Sequence, residues 1–322
     1  MSILITGSAG FIGYHLTAKL LKKNINVIGL DNINNYYDTK LKKNRIYELK
    51  KNKKFKFYKI DLSEYNKLNN VVKNNKIKFI IHLAAQAGVR YSIKNPKIYF
   101  KSNLEGFFNI LEVSRHNKIK HLVFASTSSV YGDTKKFPLN ENNMTDHPLS
   151  FYAATKKSNE VMAHSYSYIY KLPCTGVRFF TVYGPFGRPD MALFKFTKNI
   201  IKNQPIELFN HGNHFRDFTY VDDIVDGIYS LIKKHSKKNI PYEIFNIGNG
   251  SPKKLKDYLR FIEKKLNNKA KVKKLPLQMG DIIKTHSDIK KLKNYTNYNP
   301  KTNIEDGISK FIDWYKDYYK LS

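Results

Sequence analysis

Short runs of Ile, Val, Leu and Phe recur through the first 180 residues, at about 2–6, 26–30, 55–60, 77–82, 120–125 and 174–179. Each run is short and largely apolar, the pattern of parallel strands covered on both faces. Between them, apolar residues at three- and four-residue spacing predict helices at about 11–23, 38–51, 64–74, 95–116 and 151–170. Alternating strands and helices predict an α/β fold, a doubly wound parallel sheet with helices on both faces. After residue 180 the alternation stops, and Pro185, Pro189, Gly212, Pro241, Gly248, Gly250, Pro252, Pro276 and Gly280 cut the chain into shorter pieces. Helices are expected there near 191–202, 221–234, 253–266 and 304–320. The expected domains are a nucleotide-binding one over 1–180 and a smaller C-terminal α/β substrate domain over 181–322, some segments of which return to the first. No Ser/Gly linker or internal repeat separates them, so both are expected to pack around one cleft.

Composition narrows the class. The 322 residues are 41% hydrophobic and 14% aromatic, enough for a sizeable core and unlike a disordered chain. The only cysteine, Cys174, rules out an intramolecular disulfide and fits a reducing cytosol. The N-terminus enters a strand at once rather than a cleavable leader, and no apolar run approaches the roughly 18 residues of a membrane helix. A cytoplasmic protein without integral membrane contact is expected. Lys and Arg number 57 against 26 Asp and Glu, a net charge of +31. The densest stretch, residues 40–59, has ten Lys/Arg and only Glu48 as an acid. Lysines are scattered along the whole chain, so this reads as a solvated basic surface, and no nucleic acid is expected.

Gly7-Ser8-Ala9-Gly10-Phe11-Ile12-Gly13 follows the first strand and opens the first helix. That is the Rossmann arrangement, in which a tight turn lets backbone approach a pyrophosphate and the helix N-terminus faces the anion. Asp31 ends the second strand, where a carboxylate hydrogen-bonds a ribose 2′-hydroxyl and repels a 2′-phosphate, so NAD is the expected cofactor. Asn32 follows it. Asp61-Leu62 ends the third strand, near an adenine edge, and Leu83-Ala84-Ala85 ends the fourth, where small residues let a cofactor cross. Asn103 completes the expected cofactor contacts.

Tyr152 and Lys156 stand at i and i+4 of a predicted helix, on one face. A neighbouring ammonium favours the phenolate, as would a cationic nicotinamide ring, making Tyr152 a candidate general base. The pair alone carries little weight among 23 tyrosines. It gains weight from Ser126-Thr127-Ser128-Ser129-Val130-Tyr131-Gly132, a hydroxyl cluster after the fifth strand.

With these motifs the chain resembles the extended short-chain dehydrogenase/reductases of the sugar-nucleotide epimerase group, over essentially its whole length. The stretches 84–92 (AAQAGVRYS), 182–192 (VYGPFGRPDMA) and 216–223 (RDFTYVDD) resemble the UDP-glucuronate 4-epimerases of that group. The resemblance implies Thr127, Tyr152 and Lys156 as the catalytic set. It implies transient oxidation at C4 of a UDP-sugar, rotation of the 4-keto sugar and return of hydride to the other face, giving UDP-galacturonate from UDP-glucuronate for surface polysaccharide. Related 4,6-dehydratases carry an Asp-Glu pair, and decarboxylases a Glu, just before Val-Tyr-Gly; here those positions are Ser128 and Ser129. With Thr181, these hydroxyls are expected to hold the sugar carboxylate. Arg188 is implied near the sugar, Arg216 and Arg90 near the diphosphate, and Asp281 at the nucleotide ribose, while Gln278 replaces an Arg of glucose-type relatives. A homodimer through the helices near 95–116 and 151–170 is implied by analogy, with the stripe Phe100, Phe107, Phe108 and Leu111 serving as core or dimer surface. Two rivals stand: a 4-epimerase of an N-acetylated UDP-hexosamine or hexosaminuronate, and a catalytically inactive dinucleotide- or RNA-binding protein. His211 and His214 lack further ligands, so no metal is expected.

Overall fold

The computed structural model describes residues 2–278 and 280–321. Thirteen strands follow in chain order: β1 (Ser2–Thr6), β2 (Asn26–Asp31), β3 (Phe55–Lys59), β4 (Phe79–His82), β5 (His121–Thr127), β6 (Cys174–Phe179), β7 (Thr181–Tyr183), β8 (Ile206–Leu208), β9 (Phe215–Arg216), β10 (Phe218–Tyr220), β11 (Tyr242–Ile247), β12 (Lys253–Lys254) and β13 (Val272–Lys274). The helices are α1 (Phe11–Lys22), α2 (Thr39–Lys50), α3 (Tyr65–Asn74), α4 (Val89–Lys94), α5 (Pro96–Tyr99), α6 (Gly106–His116), α7 (Phe151–Tyr170), α8 (Ala192–Ile201), α9 (Val221–Leu231), α10 (Leu255–Leu266), α11 (Lys290–Thr296) and α12 (Ile304–Tyr319).

Seven strands form one all-parallel sheet in the order β11-β6-β5-β4-β1-β2-β3. Alternation within β1 shows why the sheet needs cover on both sides: Ile3 and Ile5 join one buried cluster and Leu4 the other. The first cluster includes Leu16 and Leu20 of α1 and Ile224 and Ile228 of α9, the second Leu68 of α3, Phe107 and Ile110 of α6 and Ala163 of α7. The remaining strands pair in twos, β10 with β7, β12 with β9 and β13 with β8. No helix among the described residues is long and apolar enough to cross a membrane.

The sheet differs from the sequence reading in its seventh strand. β11 comes from residues beyond 180 and pairs with β6, Tyr242 opposite Cys174 through Ile247 opposite Phe179. The prolines and glycines around it hid its apolar run. The helix expected at 95–116 is in three pieces, α5, a wide π turn over Phe100–Glu105, and α6. At that turn the Asn159 side chain donates to the Asn103 carbonyl at 2.7 Å, an insertion that locally widens a helix. The stripe splits accordingly. Phe107 and Leu111 are fully buried, whereas Phe100 and Phe108 are exposed.

Candidate active site

The carboxyl ends of the parallel strands open into a cavity of about 1160 Å³. Pockets for one drug-sized ligand run to roughly 1,000 Å³, so this space is large for a single small molecule. Around it stand Gly7 after β1, Asp31 at the end of β2, Asp61 after β3, Leu83 after β4, Thr127 at the end of β5 and Phe179 at the end of β6.

At the β1 end, Gly7 has φ +75°, and a Cβ on it would lie 2.7 Å from the Ala84 nitrogen. A Cβ on Gly13 would lie 2.0 Å from the Gly7 carbonyl oxygen. Any side chain at either position would force the turn apart. Gly10 is the N-cap of α1 and no side chain caps it, so the first-turn amides of Phe11, Ile12 and Gly13 border the cavity at the positive end of the helix. Asp31 is nearly buried and accepts one backbone N–H on each oxygen, from Ala9 at 3.1 Å and Ile33 at 2.8 Å. Burial pushes its carboxyl up, opposed by those two amides and by the cations of Lys42 and Arg45. The Asn32 amide donates to Asp61 at 2.8 Å, and Leu62, Ala84 and Ala85 continue the wall.

At the β5 end, the Thr127 hydroxyl caps the turn Ser128–Tyr131, accepting from the Ser129 amide at 3.2 Å and donating to the Ser129 hydroxyl at 3.2 Å. Ser150 caps α7 by accepting from the Ala153 amide at 3.2 Å, which sets the register that brings Tyr152 and Lys156 to the cavity. Burial pushes the Tyr152 hydroxyl up, and Arg188 and a hydrogen bond with Thr127 oppose it. This corrects the expectation that the neighbouring ammonium dominates: burial outweighs every lowering influence, of which the Arg188 cation is the largest. Lys156 is itself pushed down to about 8 by burial, opposed by Glu160. Its closest acceptor is Asn159 Oδ1 at 3.4 Å.

Ser128, Ser129, Thr181 and Arg188 line the same cavity as Tyr152. Arg90, Arg216 and Asp281 also reach the cavity, but as a group. Arg216 donates to Asp281 at 2.9 Å, and Arg90 and His214 approach the other carboxylate oxygen at 3.5 and 3.4 Å. The diphosphate-binding arginine expected from the sequence is thus already paired with the residue expected at the ribose. Burial raises and His214, Arg216 and Arg90 lower the Asp281 carboxyl, which ends below its usual range. Among the described residues no group of three or more His, Cys, Asp or Glu side chains is arranged to hold a metal.

The sequence pattern of the NAD dependent epimerase/dehydratase family matches residues 3–248. The chain belongs to that family. It is 51% identical to protein CapI of Staphylococcus aureus, over 99% of this chain and all of that one. It is 41% identical to a probable UDP-glucuronate 4-epimerase of Rhizobium meliloti, over 99% and 98% of the two chains. The crystal structure of a UDP-glucuronic acid 4-epimerase from Bacillus cereus, in complex with UDP-glucuronic acid and NAD, superposes with a TM-score of 0.93 at 34% identity, covering 99% of this chain and all of that one. The protein is an NAD-dependent nucleotide-sugar epimerase, and the residues above fit the cofactor: glycines that leave no room for a Cβ, uncapped amides at a helix N-terminus, and a buried carboxylate at the end of β2.

Every expected cofactor residue of this family member lines the cavity except Asn103. Asn103 is buried beneath it, its side chain exchanging two hydrogen bonds with the Gln86 backbone at 2.8 and 3.0 Å. These bonds tie it to the loop that follows β4. Two residues of the basic run were misread in the opposite sense. Lys42 is buried and donates to Asn34, and Arg45 is fully buried. Arg45 ties the glycine turn to the Arg188 turn, donating to the carbonyls of Ala9 at 2.8 Å and Phe186 at 2.6 Å. Nothing separates these two cations from their solvated neighbours except their spacing, with Leu41, Ile46 and Leu49, on the inward face of α2.

Two expected results arise here. Asp31→Ala removes the carboxylate beside Lys42 and Arg45, leaving cations where a 2′-phosphate would sit. NAD affinity should fall about ten-fold and the preference over NADP should shrink, as read by titration of both cofactors; an unchanged preference would remove Asp31 from ribose recognition. As a donor to a bound ribose Lys156 needs its proton, which is lost as pH rises through about 8. The kcat/KM should therefore fall on the alkaline side with a midpoint near that pH, and a flat profile to pH 10 would contradict this.

Proposed function

We propose that the protein interconverts UDP-glucuronate and UDP-galacturonate. The observation that carries the reading is the set of groups that share the cavity with Tyr152: neutral hydroxyls at Ser128, Ser129 and Thr181 with the Arg188 guanidinium, and no carboxylate at positions 128 or 129. Tyr152 takes the proton of the sugar 4-hydroxyl while Thr127 hydrogen-bonds the same oxygen. Bound NAD supplies a reversible hydride acceptor for C4. The resulting 4-keto uronic acid is a β-keto acid and loses CO₂ when its carboxylate bond aligns with the carbonyl π system. Hydroxyls and one guanidinium pin that carboxylate without supplying an acid or base for elimination. After the sugar turns about its diphosphate, hydride returns to the other face and Tyr152 gives its proton back. The relatives that share the chain's length and fold support this substrate.

Proton NMR of the purified protein with UDP-glucuronate tests it. Appearance of UDP-galacturonate anomeric signals without net NADH is the expected outcome. A UDP-pentose as main product would contradict the role given to Ser129. No conversion of UDP-glucuronate, with turnover of N-acetylated UDP-hexoses, would replace the substrate.

A further inference from the structure

Arg188 stands in the turn Gly187-Arg188-Pro189-Asp190, where proline fixes the backbone between the arginine and the aspartate. Arg188 Nε donates to Asp190 Oδ1 at 3.0 Å and Nη2 to Oδ2 at 2.5 Å. A planar donor fork paired in this way has a fixed orientation. The Asp190 carboxylate is held in turn from across the cleft: the Tyr36 hydroxyl donates to Oδ2 at 3.0 Å. Burial opposes both charges, yet the pair keeps the Asp190 carboxyl below its usual range and the Arg188 guanidinium above its own.

Tyr36 belongs to the loop between β2 and α2, five residues beyond Asp31, and is therefore part of the cofactor half. Its ring packs on Tyr91 at 4.8 Å between centroids, and the Arg188 guanidinium lies 6.0 Å from its centroid. Tyr36, Arg188 and Asp190 all line the cavity that Tyr152 lines. Asp190 occupies the Nε–Nη2 edge of Arg188, while Nη1 has no hydrogen bond among the described residues. One edge of the fork is spoken for and the other is available to a ligand anion.

Resting on the substrate reading above, we infer that Tyr36 and Asp190 are positioning residues that fix which edge of Arg188 meets the sugar, so that acid-versus-neutral sugar selectivity is set from the cofactor half. Asp190 keeps the guanidinium from turning, and Tyr36 keeps Asp190 from following it. Neither residue contacts the carboxylate of the sugar. Loss of either leaves the Arg188 charge in place but misdirected, which weakens a hexuronate and leaves a neutral hexose unaffected.

The test compares Kd for UDP-glucuronate and UDP-glucose, by calorimetry on NAD-bound protein carrying Tyr152→Phe to prevent turnover. Asp190→Asn should reduce the preference for the acidic sugar about ten-fold, and Tyr36→Phe about three-fold, with UDP-glucose and NAD affinities unchanged. Both variants retain the shape of the original side chain, and Tyr36→Phe leaves the ion pair intact. Equal loss of affinity for both sugars would show a merely structural role and overturn the inference. A preference surviving both substitutions would overturn it while leaving the substrate reading intact. No preference for UDP-glucuronate before either substitution would overturn both.

Discussion

Tyr152→Phe should lower kcat by about 10²–10⁴-fold, the usual contribution of a positioned acid–base group, while NAD remains bound. The substitution removes one oxygen and keeps the ring, which packs edge-on to Tyr99 at 6.1 Å. Thr127 is anchored independently by the Ser129 amide, so the turn at the end of β5 survives the loss. Proton transfer does not survive, because phenylalanine offers no oxygen to accept the proton. Lys156 stands on the same helix face and is protonated below about pH 8, where it has no lone pair to accept a proton. The measurement is the anomeric NMR assay, with cofactor content read from the denatured protein. Turnover within ten-fold of the unaltered protein would move the base elsewhere.

The largest effect on stability is expected at Glu160. It lies one helical turn beyond Lys156 and is buried with Arg178 of β6, each side chain 5% exposed. Both guanidinium–carboxylate contacts are 2.8 Å, and the Ser126 hydroxyl donates to the same carboxylate at 2.6 Å. Glu160→Ala strands a buried cation, which costs about 3–5 kcal/mol. The other Arg178 contacts, the Glu141 carbonyl at 3.3 Å and the Tyr131 ring at 4.8 Å, do not neutralise it. Replacing both partners with Met should recover most of the loss, since paired desolvation then disappears with paired attraction. Urea denaturation of the single and double variants decides this. A single-variant loss below about 1 kcal/mol would mean that solvent reaches Arg178.

The sheet was legible because its strands are buried on two faces, and a run such as Ile3-Leu4-Ile5 has no other use. The glycine turn and the Tyr152–Lys156 pair leave a mark in sequence through backbone geometry and helical spacing, whereas Thr127 was implied by the resemblance; all of them line the cavity. The side chains that connect distant segments left no such mark. Arg45 joins residue 9 to residue 186, and Tyr36 joins its loop to residue 190, contacts that no local periodicity encodes. Asn103 is another such connector: its buried amide satisfies the Gln86 backbone. The balance at Tyr152 was misjudged because desolvation depends on how deeply a group is packed, which spacing does not report.

The seventh strand has a mechanical consequence. β6 ends the first run of the sheet, and β11 returns to lie beside it in register over six paired positions. Everything between them, including Thr181, Arg188 and Arg216, is therefore an excursion of short strands and two helices moored at both ends to neighbouring strands of one sheet. A lobe hung from one flexible linker can rotate freely and loses that freedom whenever a ligand bridges it to its partner. A doubly moored excursion has little such freedom to lose, so the sugar meets walls whose spacing is already set.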